Sequence, residues 1–391
     1  MSFMPKSIVI LLDGTSNEIA SDRTNILRLY GVLTKDAEQL VYYDPGVGTF
    51  GAEGAWSRCW RKAHEIWGLA TGWGLDHNVK EAYRFIVENY EDGKQAGEGG
   101  ERDRIYILGF SRGAYSARVL AGFIHAAGLI ERRNLNLLDY VYRAYKRIGE
   151  DAKLEAFAEM RLYERILNTD RPPIRMLGLF DTVASVIESG RFGIRLKSHA
   201  FTSRNASVES VAHAVAIDER RTMFRPRLWP ADQQYRGNPF NKSAAKPQDV
   251  AEVWFAGGHG DVGGGYPEGQ SALCKVPLVW MIEQAKGCDL RFRQQSINSV
   301  VMGEPDGIRY QRPDPLGQAH ETMTLGWALL EFVPRRKPAG SSRLSILGLI
   351  LPLFERRHIP PGSRLHASVI ERRDRLDYRA ANIPRIFTVE D

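Results

Sequence analysis

Apolar residues along the chain gather in short, nearly unbroken runs, each closed by Gly, Asp or Ser: Ser7–Leu12, Arg104–Phe110, Ile174–Phe180, 212–217 and 250–256. A strand with one wet face alternates apolar and polar residues, whereas a strand buried on both faces does not. These runs therefore predict the interior of a parallel sheet covered by helices. Between them the period changes. Val79, Ala82, Tyr83, Ile86 and Tyr90 recur at helical spacing in 78–90, and 112–127 is rich in Ala and Leu, so both segments are predicted helices. The segment 91–103, with four glycines and many charges, reads as a solvated loop. Strands alternating with helices give an α/β fold, a mostly parallel sheet flanked by helices.

After about residue 290 the alternation decays into a stretch rich in Arg and Pro. The chain is accordingly divided into a catalytic domain over 1–290 and an appended region over 291–391 that packs on the core or forms a lid or membrane-contact surface. Within that region 344–354 has eleven residues without a charge, bracketed by Arg335, Arg336, Lys337 and Arg343 before and by Arg356 and Arg357 after. Such a stretch is too short to span a bilayer. It suits a buried helix or lid broken at Pro352, or a surface whose apolar part enters an anionic membrane while the arginines meet phosphates. Trp56, Trp60, Trp67 and Trp73 suit a cap over a site, an interface or plain core.

Composition narrows the class. With 391 residues, 43% of them apolar, the chain can bury a large core, which excludes disorder, collagen and coiled coil. The net charge of +6 is spread along the sequence rather than collected in a basic arm, so nucleic-acid binding is not implied. Cys59, Cys274 and Cys288 form neither a disulfide framework nor a metal-type spacing. No signal peptide or transmembrane stretch is visible, so the protein is expected to be cytoplasmic as synthesised, with signal-peptide-independent export left open.

In open α/β sheets, functional groups collect where strands end at their carboxyl edge. Here those ends present Asp13, Ser111, Asp181, Asp218, His259 and Asp261. Gly109-Phe-Ser111-Arg-Gly113 matches G-x-S-x-G between a strand and a helix, the context of a nucleophile elbow, whose small neighbours let strand and helix approach. At the start of that helix the Arg112 amide would face an oxyanion. A serine needs a base. His259 is preferred because it follows the last strong strand inside a glycine-rich turn, while His213 reads as a packed core residue and His320 and His366 lie in the appended region. Orienting the imidazole requires a carboxylate. Asp181 is preferred over Asp218, which sits among charges and can be held by Arg220 or Arg221. A second oxyanion donor is expected from Gly14 or Thr15, the alternative there being a turn made locally by Asp13. Asp13 and Asp261 are expected to support the site rather than act in it.

Five ordered motifs resemble the DUF2235 family: LLDGTSN, GFSRGAYSAR, LFDTVA, AIDERR followed by FRPRLW, and WFAGGHGDVGGG. That family is similar to the catalytic domain of the Tle1 phospholipase effectors of bacterial type VI secretion. The resemblance, covering roughly 8–290, implies an α/β-hydrolase fold and a serine esterase or phospholipase with Ser111, Asp181 and His259 as nucleophile, acid and base. It further implies a lipid or other acyl-ester substrate, and a secretion-apparatus or immunity partner. This chemistry requires no cofactor and no metal. Two other classes compete: a metal-dependent phosphohydrolase using Asp13, Asp181, His259 and Asp261, which leaves the elbow glycines without a reason, and a catalytically silent binding module on the same fold.

Overall fold

A computed structural model of the chain describes residues 5–14, 23–46, 73–93, 101–151, 154–167, 169–183, 187–190, 193–196, 199–237, 245–305, 307, 309–337, 341, 343–346 and 348–391. Its centre is an eight-stranded sheet. In chain order the strands are β1 (Ser7–Leu12), β2 (Gln39–Asp44), β3 (Arg104–Phe110), β4 (Ile174–Phe180), β5 (Val208–Ala216), β6 (Asp249–Phe255), β7 (Ser363–His366) and β8 (Phe387–Glu390). They lie in the order β8-β7-β6-β5-β4-β3-β1-β2, and every neighbouring pair is parallel.

The unbroken apolar runs have the reason expected of them. Side chains of successive strand residues point to opposite faces. Ile8, Ile10, Leu12, Ile105 and Ile107 enter one core with helices α2 (Trp73–Asn89), α3 (Arg112–Ala127), α4 (Leu138–Asp151) and α5 (Leu154–Leu167), while Val9, Leu11, Tyr106 and Leu108 enter another. That second core is closed by α1 (Asn25–Val32) and α7 (Lys275–Gly287), with the short α6 (His259–Gly263) beside them. The fold is thus α/β-hydrolase-like, as the sequence predicted. Helix α2 starts five residues before the expected 78–90, because Leu75 continues its buried stripe one turn back. Strand β5 starts four residues before the expected 212–217. Its polar Glu209 is held by Arg175 (2.9 Å) and Lys246 (2.9 Å), so the charge does not interrupt pairing.

Residues 291–391 supply β7 and β8, the outer strands of the same sheet, and α9 (Ala367–Leu376), which follows β7. Preceding them, α8 (Leu325–Leu330) leads to a small antiparallel pair, Arg335–Arg336 with Leu349–Ile350. Among the described residues of 344–354 there is no helix. Leu344 and Ile346 are 95% and 79% exposed, and Ile350 and Pro352 are the buried ones, so the buried-helix alternative for this stretch is set aside. Trp56, Trp60 and Trp67 lie outside the described residues.

Strand order sets the position of the site. From β1 the chain goes outward to β2, then returns across β1 to β3 and continues the other way. This reversal opens a crevice at the carboxyl ends of β1 and β3, the switch point at which open α/β sheets bind ligands. Register brings the neighbouring ends level: Leu12 pairs with Gly109, Phe110 with Phe180, Phe180 with Ala214, and Ala216 with Phe255.

Candidate active site

Ser111 is the single residue between β3 and α3. Its backbone stands at φ 57°, ψ −119°, a conformation that costs a non-glycine residue of order 1–3 kcal/mol and persists only where the surroundings impose it. Those surroundings are crowded. A Cβ on Gly109 would lie 2.5 Å from the Gly113 carbonyl oxygen, and one on Gly113 would lie 2.1 Å from that of Leu12. Both glycines of the motif are therefore demanded by the approach of strand to helix, and the serine is pressed outward between them.

His259 opens α6, one turn held between glycines in the left-handed region, Gly257 (φ 101°) and Gly264 (φ 83°). Its Nε2 lies 2.8 Å from Ser111 Oγ and its Nδ1 lies 2.5 Å from Asp181 Oδ2. With the proton on Nδ1, the imidazole donates to Asp181 and keeps Nε2 as acceptor for the serine hydroxyl; the network assigns this tautomer. Phe110 (4.7 Å between centroids) and Phe224 (4.9 Å, edge-on) pack against the ring, and Glu219 accepts the His259 amide at 3.3 Å. Burial pushes the imidazole below its ordinary value, so the ring is neutral at pH 7.

Asp181 is fully buried, at φ 40°. Oδ1 accepts from the Ala216 amide (3.0 Å) and Arg357 Nη1 (2.5 Å), and Oδ2 from His259 and Arg357 Nη2 (2.9 Å). Burial alone would raise this carboxyl, but the Arg357 charge and the His259 bond hold it well below the usual carboxylate range. The sequence counts Arg357 among the arginines that would meet lipid phosphates; it is instead buried against Asp181 and unavailable to a membrane. It stands in an arginine-rich stretch where a solvated or membrane-facing charge was the natural reading, and only its 4% exposure distinguishes it.

Ser111, His259 and Asp181 are thus brought together, and Asp218 is not brought to them. Its Oδ2 accepts from the Tyr378 hydroxyl (2.7 Å) and the Gly257 amide (2.7 Å). Arg221 instead grips Glu219, with Nε and Nη2 at 2.9 and 2.8 Å, and stacks over Phe224. Asp13 follows β1 and receives Gly14 N–H (2.7 Å), Thr24 Oγ1 (2.5 Å) and Tyr43 OH (2.9 Å). Burial raises it to about 6. The Gly14 amide is therefore engaged locally; Thr15 lies outside the described residues. Arg112 is the first residue of α3. Asp261 joins Gly258 N–H (2.8 Å) to His320, whose Nδ1 is 2.6 Å away, and so fastens a C-terminal segment to the histidine turn. His213 is a core residue held by Glu252 (2.9 Å), and His366 caps α9 through Ser368 N–H (3.2 Å). Among the described residues no three His, Cys, Asp or Glu side chains are grouped to hold a metal ion.

A serine at a strand–helix elbow, joined through an imidazole to a buried carboxylate at the switch point of a parallel sheet, is the arrangement of the α/β-hydrolase-like class. Within that class the chain belongs to the family of the type VI secretion phospholipase effector Tle1-like catalytic domain, whose family model matches residues 6–284. An uncharacterized protein of Saccharomyces cerevisiae is 33% identical over 236 residues, covering 56% of this chain and 32% of that protein. Two solved structures are similar at lower identity. One is an uncharacterized protein from Pseudomonas aeruginosa (18% identity, TM-score 0.40, 74% of this chain and 47% of that one). The other is the Tle1 effector bound to the VgrG spike of the type VI secretion system (19% identity, TM-score 0.34, 69% and 52%). The chain spans about a third of the length of the yeast protein and about half of each solved chain.

Proposed function

We propose that the protein is a serine hydrolase of acyl esters, acting on phospholipids or related lipids. The observation that carries the chemistry is the unbroken chain from Ser111 Oγ to His259 Nε2 (2.8 Å) and from Nδ1 to Asp181 (2.5 Å). The lipid class rests on the family to which the chain belongs. In the first half-reaction Ser111 Oγ bonds to the ester carbonyl carbon as its proton passes to Nε2. The resulting oxyanion is met by the Arg112 amide at the positive end of α3; the Gly14 amide, already bound to Asp13, is not counted as a second donor. Collapse breaks the ester C–O bond, the leaving alcohol takes the proton from Nε2, and water repeats the sequence to free the acid and restore Ser111. Asp181 stays ionised and holds the imidazole in the productive tautomer.

A surface beside the site suits a lipid interface. Leu325, Leu329, Phe332, Leu344 and Ile346 are all more than half exposed, with Arg343, Arg356 and Lys337 on the same stretch of chain. Trp327 of α8 packs on Phe224, which packs on His259, so the helix that carries Leu325 and Leu329 reaches the site. The family also makes a secretion-apparatus spike and an immunity protein the expected partners, with export that needs no signal peptide.

A fluorophosphonate probe should label the wild type at Ser111 and leave Ser111→Ala unlabelled, and the wild type should release fatty acid from phosphatidylglycerol vesicles. Equal labelling of both proteins rejects the nucleophile assignment. Release of a phosphorylated headgroup without fatty acid rejects the acyl-ester reading.

A further inference from the structure

Arg357 lies beyond the 6–284 segment that the family model matches, yet it makes the closest charged contact to the buried acid of the site. We infer that Arg357 is a positioning residue of the hydrolase, a cation delivered by the C-terminal region that fixes Asp181 and sets the proton affinity of the Asp181–His259 pair. This rests on the Ser111–His259–Asp181 reading above and extends it to a residue outside the matched domain.

The geometry is that of a two-pronged fork. Nη1 and Nη2 each meet a different oxygen of Asp181, at 2.5 and 2.9 Å, which determines the plane of the carboxylate as a single-point ammonium would not. The fork is itself anchored. Nη1 donates also to the Ala216 carbonyl (2.8 Å) and Nη2 to that of Phe224, whose ring lies against His259. Asn382 Nδ2 reaches the carbonyls of both Arg357 and Ile217 at 3.1 Å, tying the arginine backbone to the end of β5. One guanidinium therefore orients the acid and the aromatic wall of the base together. Without it, a carboxylate with no water contact would keep, among the described residues, the Ala216 amide and the imidazole as donors.

Charge makes this role distinguishable from plain packing. Among the described residues, the charged groups facing His259 are Asp181 and Arg357 on its Nδ1 side, and Glu219 with its partner Arg221 beside the ring. Glu219 and Arg221 neutralise one another, as do Asp181 and Arg357. Removing the Arg357 charge leaves a net negative site, and the pair takes up its first proton more readily whichever member carries it. Since the reaction needs the unprotonated pair, the acid limb of kcat/KM must move to higher pH.

The test compares wild type, Arg357→Gln and Arg357→Lys on a soluble nitrophenyl ester across pH, with fluorophosphonate labelling of each. Arg357→Gln should lower kcat about 10- to 100-fold, the range typical of removing a group that orients a ligand from behind, with KM changed little and the acid limb displaced upward. Arg357→Lys should keep the acid limb near that of the wild type, because the charge stays, while kcat remains reduced because the fork is lost. Wild-type kcat in Arg357→Gln, or a reduced kcat with an undisplaced acid limb, overturns the inference. If Arg357→Gln does not fold, Arg357→Lys decides: a wild-type kcat overturns the inference and a reduced kcat at an unmoved limb supports it. Failure of the wild type to label at Ser111 overturns the underlying reading instead, so the two failures are told apart.

Discussion

At the scale of single residues, the site separates carboxylates by what surrounds them. Asp181 is held by four donors, three of them from the ionisable Arg357 and His259, Asp218 by a tyrosine and an amide, and Asp13 by two hydroxyls and an amide with no cation among the described residues. Asp181→Asn should cut kcat by about 10⁴-fold, as expected when the imidazole loses its charged orienting partner. Asp218→Asn should leave kcat near wild type and lower the melting temperature; parallel turnover and melting measurements check both, and the reverse ranking would make Asp218 the acid. Asp13 gives a stability signature of opposite sign to Asp181. Its folded-state value is raised from 3.8 to about 6, so the stability it contributes is fully present below pH 3.8 and is lost as pH rises through 6, about 3 kcal/mol in all. Asp181, with a depressed value, contributes stability above the ordinary carboxylate range that is lost only in strong acid. Urea unfolding at pH 4 and pH 7.5 should therefore show Asp13→Asn gaining relative to wild type as pH rises. The residue types of the site were legible because a nucleophile, a base and an acid each ended an apolar run. Arg357 was not, since a charge in an arginine-rich stretch carries no mark of the partner it meets.

At the scale of elements, glycine separates two kinds of position. Gly113→Ala would drive a Cβ into the Leu12 carbonyl at 2.1 Å, and Gly263→Ala would drive one into the Phe110 ring at 1.8 Å. Each should destabilise by about 1–3 kcal/mol or more, with activity falling further because β1, the elbow and the histidine turn must part. Gly31→Ala in α1 meets nothing within 4 Å and should stabilise by about 0.4–1 kcal/mol. Urea midpoints of the three variants test the contrast. The central strands were readable from their unbroken apolar runs, because burial on both faces removes alternation. Strands β7 and β8, with the sequences Ser-Arg-Leu-His and Phe-Thr-Val-Glu, were not; they are held by backbone pairing to a sheet edge that no local pattern announces.

At the scale of the whole molecule, the C-terminal region joins sheet, site and outer surface. Glu331, fully buried at the end of α8, accepts from the Thr222 amide (2.8 Å) and hydroxyl, close to Phe224 and the histidine, while α8 turns Leu325 and Leu329 outward. Replacing Leu325, Leu344 and Ile346 by Asp should weaken binding to phosphatidylglycerol vesicles by a larger factor than it lowers turnover of a soluble ester. Raising salt should weaken wild-type binding by screening the arginines. Co-sedimentation beside ester turnover reads both, and unchanged vesicle binding in the folded triple variant removes the surface from the account. The amino-acid sequence by itself determined a parallel α/β core, the elbow at Ser111 and the candidates His259 and Asp181, because burial, strand ends and glycine requirements are local and leave local marks. Only the tertiary structure decided that Asp181 rather than Asp218 faces the imidazole, that the Gly14 amide is already engaged by Asp13, and that Arg357 completes the acid's surroundings. Each of those outcomes depends on which distant strand ends lie side by side, and strand order is set by long-range pairing rather than by neighbours in the chain.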